Sequence, residues 1–324
     1  MTRRKIPALI TTALCLLVSL TTLMVAPAAN AQSDSPGGHI LYIRSGDIWE
    51  WSPDHDDMLL KDGSATSPAW SPDESEVLYT RNGGSYSNLV LYRPTTGTRS
   101  ALTNNESYDE KGSQDYVLGS SWANDPYWSA SGIICFVSDV QSQNGEMALW
   151  VLASTDAQPY LAASDGSDAG NIEHVSVDAA GTWAVYTVEA PDDATGGITY
   201  VALRNLNTGA TSRIAEGATG AYDADISQDG TKVVMSIRNA SGTSDLWLYD
   251  ITSGNLTQLT AGQDASRARW SPDDTWIAYI KPGDNTFETW AIPINANRDG
   301  ASGDAVKLFS HDDIDAPGGL SWGS

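Results

Sequence analysis

Residues 268–279 read Ala-Arg-Trp-Ser-Pro-Asp-Asp-Thr-Trp-Ile-Ala-Tyr, and degraded copies of this stretch recur at fairly regular intervals along the chain. Pro-Asp-Asp is a tight-turn signal, because proline pre-sets the backbone angle of a turn's second position and aspartate bonds to nearby backbone amides. Short apolar runs on either side, 268–271 and 276–280, read as the two strands of a hairpin. A chain built on many copies of one hairpin unit has few architectures open to it.

The first full unit opens at Pro68-Ala69-Trp70-Ser71-Pro72-Asp73, continues through strands at 77–80 and 89–92, turns at Thr96-Gly97 and ends at Ala101-Leu102-Thr103. A second opens at Asp125-Pro126-Tyr127-Trp128-Ser129. The third opens at Glu173-His174-Val175-Ser176, with Val175 in the tryptophan place, the fourth at Asp223-Ala224-Asp225-Ile226-Ser227, and the fifth is 268–279 itself. Two loose ends remain. Strands at 40–43 and 47–51 have no turn-bearing motif before them, and Gly319-Leu320-Ser321-Trp322-Gly323-Ser324 starts a unit that stops. Four short strands per unit at this period predict β-propeller blades. The loose ends complete each other as one shared blade, so the expected fold is all-β, a six-bladed propeller closed by a blade built from both termini.

Trp70-Ser71-Pro72-Asp73 and Trp270-Ser271-Pro272-Asp273, with partial matches at Gln228-Asp229-Gly230 and Leu259-Thr260, resemble the TolB-type propeller repeat, and the resemblance covers essentially everything after about Gly38. That repeat implies the propeller fold. It does not imply one function, since it serves transport-associated scaffolds, peptidase substrate gates and polysaccharide lyases. TolB itself carries an α/β domain ahead of its propeller, and only a few residues separate the leader from the first strand here. Propeller-bearing peptidases add an α/β-hydrolase domain, whereas this chain ends at the ring.

Met-Thr-Arg-Arg-Lys, an apolar run at 6–25 and the small-x-small site Ala29-Asn30-Ala31 predict a cleaved secretory signal over 1–31, a polar leader over 32–38 and the propeller over 39–324. The expected location is the periplasm or the cell exterior, with no membrane insertion after cleavage and a monomeric product. The full chain has 18 basic and 41 acidic residues; without Arg3, Arg4 and Lys5 the balance is 15 to 41, a net charge of −26. Such a charge opposes encounter with nucleic acid. Cys15 leaves with the signal, so Cys135, inside an apolar run, stays unpaired and is expected to act as a small buried hydrophobe.

No catalytic motif survives inspection. Gly319-Leu320-Ser321-Trp322-Gly323 fits Gly-x-Ser-x-Gly, but a nucleophile elbow needs a following helix and later Asp and His residues, and only Ser324 follows. Histidines 39, 55, 174 and 311 are scattered, and the acidic runs 54–57 and 165–168 lack calcium-loop spacing and read as solvated turns. No cofactor is expected, and whether a metal binds is open.

Propeller geometry gives a better candidate. Aligning the units puts Ala69, Tyr127, His174, Asp225, Arg269 and Ser321 in one ring along the channel, and Ser67, Asp125, Ile172, Asp223, Arg267 and Gly319 in a second, two residues earlier. Asp125, Tyr127, His174, Asp223, Asp225, Arg267 and Arg269 are the candidate ligand-binding residues at the channel mouth. They are equally readable as an inter-blade ion-pair network. The long connection 104–124 is expected to overhang the same face. Together these features favour a non-catalytic binding or scaffold protein for a peptide, protein or small anionic ligand, with a propeller hydrolase or lyase acting on carbohydrate or peptide as the alternative.

Overall fold

The computed structural model describes residues 35–142, 145–163, 171–189, 199–215 and 220–324. The expected signal at 1–31, the first part of the leader and the acidic run 165–168 lie outside the described residues.

Among the described residues there are six four-stranded antiparallel sheets. The chain enters through β1 (His39–Arg44), β2 (Asp47–Ser52) and β3 (His55–Leu60). Blade one is β4 (Ala65–Trp70), β5 (Val77–Asn82), β6 (Ser87–Arg93) and β7 (Thr98–Ala101). Blade two is β8 (Ala123–Trp128), β9 (Ile134–Ser138), β10 (Ala148–Leu152) and β11 (Tyr160–Ala163). Blade three is β12 (Asn171–Val177), β13 (Trp183–Glu189), β14 (Thr199–Asn205) and β15 (Thr211–Ile214). Blade four is β16 (Ala221–Ile226), β17 (Lys232–Arg238), β18 (Ser244–Asp250) and β19 (Leu256–Gln258). Blade five is β20 (Ser266–Trp270), β21 (Trp276–Pro282), β22 (Phe287–Pro293) and β23 (Val306–His311). Finally β24 (Leu320–Gly323) pairs with β1, setting Trp322 opposite Ile40 and Leu320 opposite Tyr42. The shared blade is therefore β24-β1-β2-β3.

Apolar side chains gather between blades. Leu41, Ile43 and Ile48 of the shared blade pack with Val77 and Tyr79 of blade one. On its other side, Ile40, Tyr42 and Leu320 pack with Ala278, Ile280 and Phe309 of blade five. Further clusters join blades one to two, two to three, three to four and four to five. Burial thus closes the ring, and no blade has a core of its own.

The repeated turn explains its own sequence. Ser271 N–H donates to Trp276 O, its Oγ accepts from Trp276 N–H at 2.9 Å and donates to Asp273 Oδ1 at 2.7 Å. Ser71 and Ser227 repeat the pattern. The next position is left-handed in every such turn: Gly132, Gly181 and Gly230 occupy it in three blades, Glu74 (φ 57°) and Asp274 (φ 57°) in the other two. Glycine suits that backbone at no steric cost. The two acidic residues there latch onto the preceding blade. Asp274 accepts the N–H groups of Gln228 (2.8 Å) and Asp229 (3.3 Å), and Glu74 accepts from Ser324 at the chain's end.

Two local expectations change. In blade three the turn is Asp178-Ala179-Ala180-Gly181, so Val177, not Val175, holds the tryptophan place. Residues 55–57 belong to strand β3 and not to a turn; this outermost strand opens with His55-Asp56-Asp57 and buries only Leu60. The connection 104–122 contains a short helix, α1 (Gln114–Leu118), capped by Ser113. It is tied down by Glu106, which accepts from the Tyr86 and Tyr116 hydroxyls, and by Asp139, which accepts Trp122 N–H at 2.6 Å. Cys135 is buried and free, and burial pushes its thiol pKa up, as a structural cysteine requires. No helix among the described residues is long and apolar enough to cross a membrane.

Candidate functional site

Each innermost strand of blades one to five slips register once against its neighbour, between Thr66 and Ala69, Asn124 and Tyr127, Glu173 and Ser176, Tyr222 and Asp225, and Ser266 and Arg269. The residue opening each bulge is left-handed: Ser67 (φ 48°), Asp125 (48°), His174 (49°), Asp223 (50°) and Arg267 (56°), with Gly319 (70°) in β24's approach. Bulges re-aim side chains, and this one recurs around the axis. A left-handed non-glycine residue costs about 1–2 kcal/mol, so five of them on one ring are held there by something.

Contacts between blades hold them. Ser67 Oγ donates to Asp125 Oδ1 at 2.6 Å, and Asp125 Oδ2 accepts the His174 backbone N–H at 3.4 Å. The His174 ring stands between two carboxylates, with Nδ1 3.1 Å from Asp223 Oδ1 and Nε2 3.8 Å from Asp125 Oδ2. Asp223 in turn accepts Arg267 N–H at 3.3 Å and faces its guanidinium at 3.4 Å. One chain of polar contacts therefore crosses five consecutive blades. Burial raises the Asp125 carboxyl, but His174, the Ser67 hydroxyl and Arg267 together outweigh it and hold the pKa below the usual carboxylate range.

A second ring lies two residues further on and consists of Ala69, Tyr127, Ser176, Asp225, Arg269 and Ser321. Because Val177 holds the tryptophan place, blade three moves by two residues relative to the sequence alignment, so His174 belongs to the first ring in place of Ile172, and Ser176 takes its slot in the second. Here too side chains reach forward one blade: Ser321 Oγ accepts Trp70 N–H (3.1 Å), Ser176 Oγ accepts Ile226 N–H (3.1 Å) and Asp225 Oδ2 accepts Trp270 N–H (2.7 Å). Arg269 Nε donates to Leu320 O at 3.0 Å and Nη1 to Ala268 O at 3.3 Å, with Asp225 Oδ1 3.8 Å away. Asp225 is 1% exposed and burial lifts its pKa, with Arg269 the largest opposing influence. Burial, then Asp225, raise the Tyr127 hydroxyl, which stays neutral.

Two cavities sit on this axis and share Pro68, Pro126, Arg269 and Leu320 in their walls. At the end where the outer-to-inner connections enter, Asp125, His174 and Arg267 border a space of ≈ 20 Å³. At the hairpin-turn end, Tyr127, Asp225 and Arg269 line a chamber of ≈ 130 Å³ together with Trp70, Trp128, Trp270 and Trp322. Buried polar atoms without a hydrogen-bond partner concentrate in residues of that chamber: the indole N–H groups of Trp70, Trp128 and Trp270, and Asp225 Oδ1. Of the seven candidate residues, Asp125, His174, Asp223 and Arg267 belong to the contact chain of the first ring and Asp225 pairs with Arg269 in the second, where Tyr127 lines the chamber beside them; Asp223 lines neither cavity. The tryptophans are the site residues that sequence reasoning used only as repeat markers.

The histidines are less scattered than their spacing suggests. His39 and His55 meet at Glu50 on the shared blade, and His311 pairs with Asp56 at 2.8 Å.

The fold and its axial chamber define a six-bladed β-propeller closed by a shared blade. No protein-family model and no curated protein sequence matches the chain. Solved structures resemble it at low identity. TolB from Acinetobacter baumannii is 18% identical with a TM-score of 0.66, over 88% of this chain and 66% of that one, so this chain spans just under two thirds of that protein's length. The nidogen/laminin complex gives 10% identity and a TM-score of 0.60 over 89% of this chain and 99% of that one. Oligogalacturonate lyase from Vibrio parahaemolyticus gives 12% and 0.54 over 85% and 75%. The fold is that of the TolB propeller.

Proposed function

We propose that this chain is an exported, non-catalytic binding or scaffold protein that receives a short stretch of peptide, presented by a partner protein, in the chamber at the hairpin-turn end of the channel. The observation that carries this reading is the chamber wall, in which Trp70, Trp128 and Trp270 stand with Asp225 and each of these residues also holds a buried polar atom that has no hydrogen-bond partner. Orphaned buried polar atoms cost about 1–3 kcal/mol each until something bonds them. A peptide offers both C=O and N–H groups; a simple anion offers only acceptors. In the chamber it would also meet the Asp225 and Glu74 carboxylates against the single Arg269 guanidinium, with no surplus positive charge.

Size supports the same choice. A space of ≈ 130 Å³ is close to the roughly 150 Å³ that holds benzene and well below the roughly 300–1,000 Å³ of sites for drug-sized ligands, so it suits one side chain or a chain end. The enzymatic alternative has one feature in its favour, the His174 imidazole beside Asp125 and Asp223. That group borders a space of ≈ 20 Å³, room for about one water and no substrate. The structural likeness to the nidogen/laminin complex accords with a protein partner.

A random-peptide display library panned on the protein tests this, with counter-screening on Ala130→Trp. Ala130 lines the chamber and is exposed, so an indole there fills space without entering the core. Selected peptides are expected to bind wild type and lose at least tenfold on the variant at unchanged melting temperature. Peptides that bind both proteins equally would overturn the assignment, and turnover of a selected peptide would favour the enzyme.

A further inference from the structure

Far from the tryptophan chamber in chemistry, the shared blade carries a second constellation. His39 lies on β1, Glu50 on β2 and His55 on β3. Glu50 pairs with Leu41 and His55 with Ser52, so the two-residue alternation of strands puts all three side chains on one face of the sheet. His39 Nδ1 is 2.6 Å from Glu50 Oε1, and His55 Nε2 is 3.7 Å from the same oxygen. One ligand atom from each residue can be chosen so that all lie within 4.8 Å of one another.

We infer that His39, Glu50 and His55 form a binding site for a borderline divalent transition-metal ion of the Zn²⁺ type. Two imidazoles and one carboxylate are the donor set such ions take with three protein ligands and an open fourth position. Ca²⁺ and Mg²⁺ call for oxygen donors and are disfavoured by the two imidazoles. Metal–ligand bonds of about 2.0–2.2 Å in a tetrahedron place donor atoms a little over 3 Å apart. The 2.6 Å contact has to open slightly and the 3.7 Å contact to close slightly, both within reach of side-chain rotation.

Two further features separate this trio from a chance cluster of polar groups. Ser52 Oγ lies 2.6 Å from His55 Nδ1, a bond that orients the ring and leaves Nε2 as the atom turned to Glu50. Bonds of this kind to the far nitrogen fix the tautomer of metal-ligating histidines. The side chains of His39 and His55 are each 38% exposed and that of Glu50 18%, so an ion could enter from solvent and keep its fourth position open to water or to a donor atom from outside. Because the ligands come from three adjacent strands, the ion would also clip together the blade that closes the ring.

The test uses protein free of any polyhistidine tag. Titration with ZnCl₂ followed by calorimetry is expected to show one equivalent bound, a raised melting temperature, and with CoCl₂ the visible absorption of a four-coordinate site. Glu50→Gln and the double change His39→Ala with His55→Ala should each weaken binding by at least tenfold and remove the thermal shift. Ser52→Ala should weaken it less. His311→Ala, whose ring pairs with Asp56 instead, should bind as wild type. Apo melting curves of each variant establish that it folds. Absence of stoichiometric Zn²⁺ binding to wild type, or binding unchanged in the double variant, would overturn the site.

Discussion

Asp225 in blade four accepts the backbone N–H of Trp270 in blade five at 2.7 Å, while its other carboxylate oxygen has no hydrogen-bond partner. One half of the side chain fastens two blades and the other half lies buried 3.8 Å from the Arg269 guanidinium. Asp225→Ala should then lower stability by about 1–3 kcal/mol, because the Trp270 N–H loses its acceptor in a buried setting. Asp225→Asn keeps an acceptor and removes a buried charge, so it should cost less. Denaturant titration of the two variants orders them, and an asparagine variant less stable than the alanine one would contradict the latch.

Arg267 and Arg269 face Asp223 and Asp225. Removing both cations with Arg267→Ala and Arg269→Ala leaves two nearly buried carboxylates uncompensated, and losing one partner of a buried pair costs on the order of 3–5 kcal/mol. Both arginine side chains are 17% exposed, which places the expected total toward the low end of that range. Calorimetric melting reads it directly; an unchanged melting temperature would mean that the ring does not bind the blades together.

The shared blade predicts a severe truncation. Ending the chain at Pro317 removes β24, leaves one edge of β1 unpaired and uncovers the side of Tyr42 and Ile40 that Leu320 and Trp322 cover. Loss of Leu320 and Trp322 burial alone is worth about 1.5–3 kcal/mol apiece, so the melting temperature should fall by ten degrees or more, roughly. A truncated protein melting within about two degrees of the full chain would refute closure by the C-terminal strand.

Asp274 gives a pH signature. Burial pushes its carboxyl up to about 6, against the opposing influence of the Gln228 and Asp229 N–H groups and Arg298. Its folded pKa lies above its unfolded value, so the ionised form costs stability above about pH 6 and that cost disappears as pH falls toward about 4. Referred to Asp274→Asn, in which this titration is absent, wild type should gain up to about 3 kcal/mol between pH 7 and pH 4. A difference that stays flat over that range in paired denaturation curves would contradict the buried carboxylate.

Much of the architecture is legible because the turn that repeats is chemically demanding. Ser71, Ser227 and Ser271 each use hydroxyl and backbone together, and few other residues can. The sequence alignment of blade three is displaced by two residues because Val175 and Val177 are both apolar and both fit a buried strand position, while Asp178 and Ala180 replace the Ser and Asp that mark the turn elsewhere. The bulge before it breaks the two-residue alternation, which is why His174 lands beside Asp125 and Asp223. Strand β3 is hard to read from sequence because its first half, His55-Asp56-Asp57, is polar and only Leu60 is buried. The meeting of His39 with His55 depends on the register of three strands, which spacing along the chain does not encode.

A peptide seated among the chamber tryptophans would be reported by their indole N–H groups. With ¹⁵N-tryptophan incorporated, each of the 12 tryptophans of the chain gives its own indole resonance. On titration with a display-selected peptide, the indole signals of Trp70, Trp128 and Trp270 should shift downfield as they gain acceptors. That of Trp150, equally buried and unpartnered but outside the chamber wall, should stay in place. Saturable binding that leaves the three chamber resonances unmoved would contradict the claim.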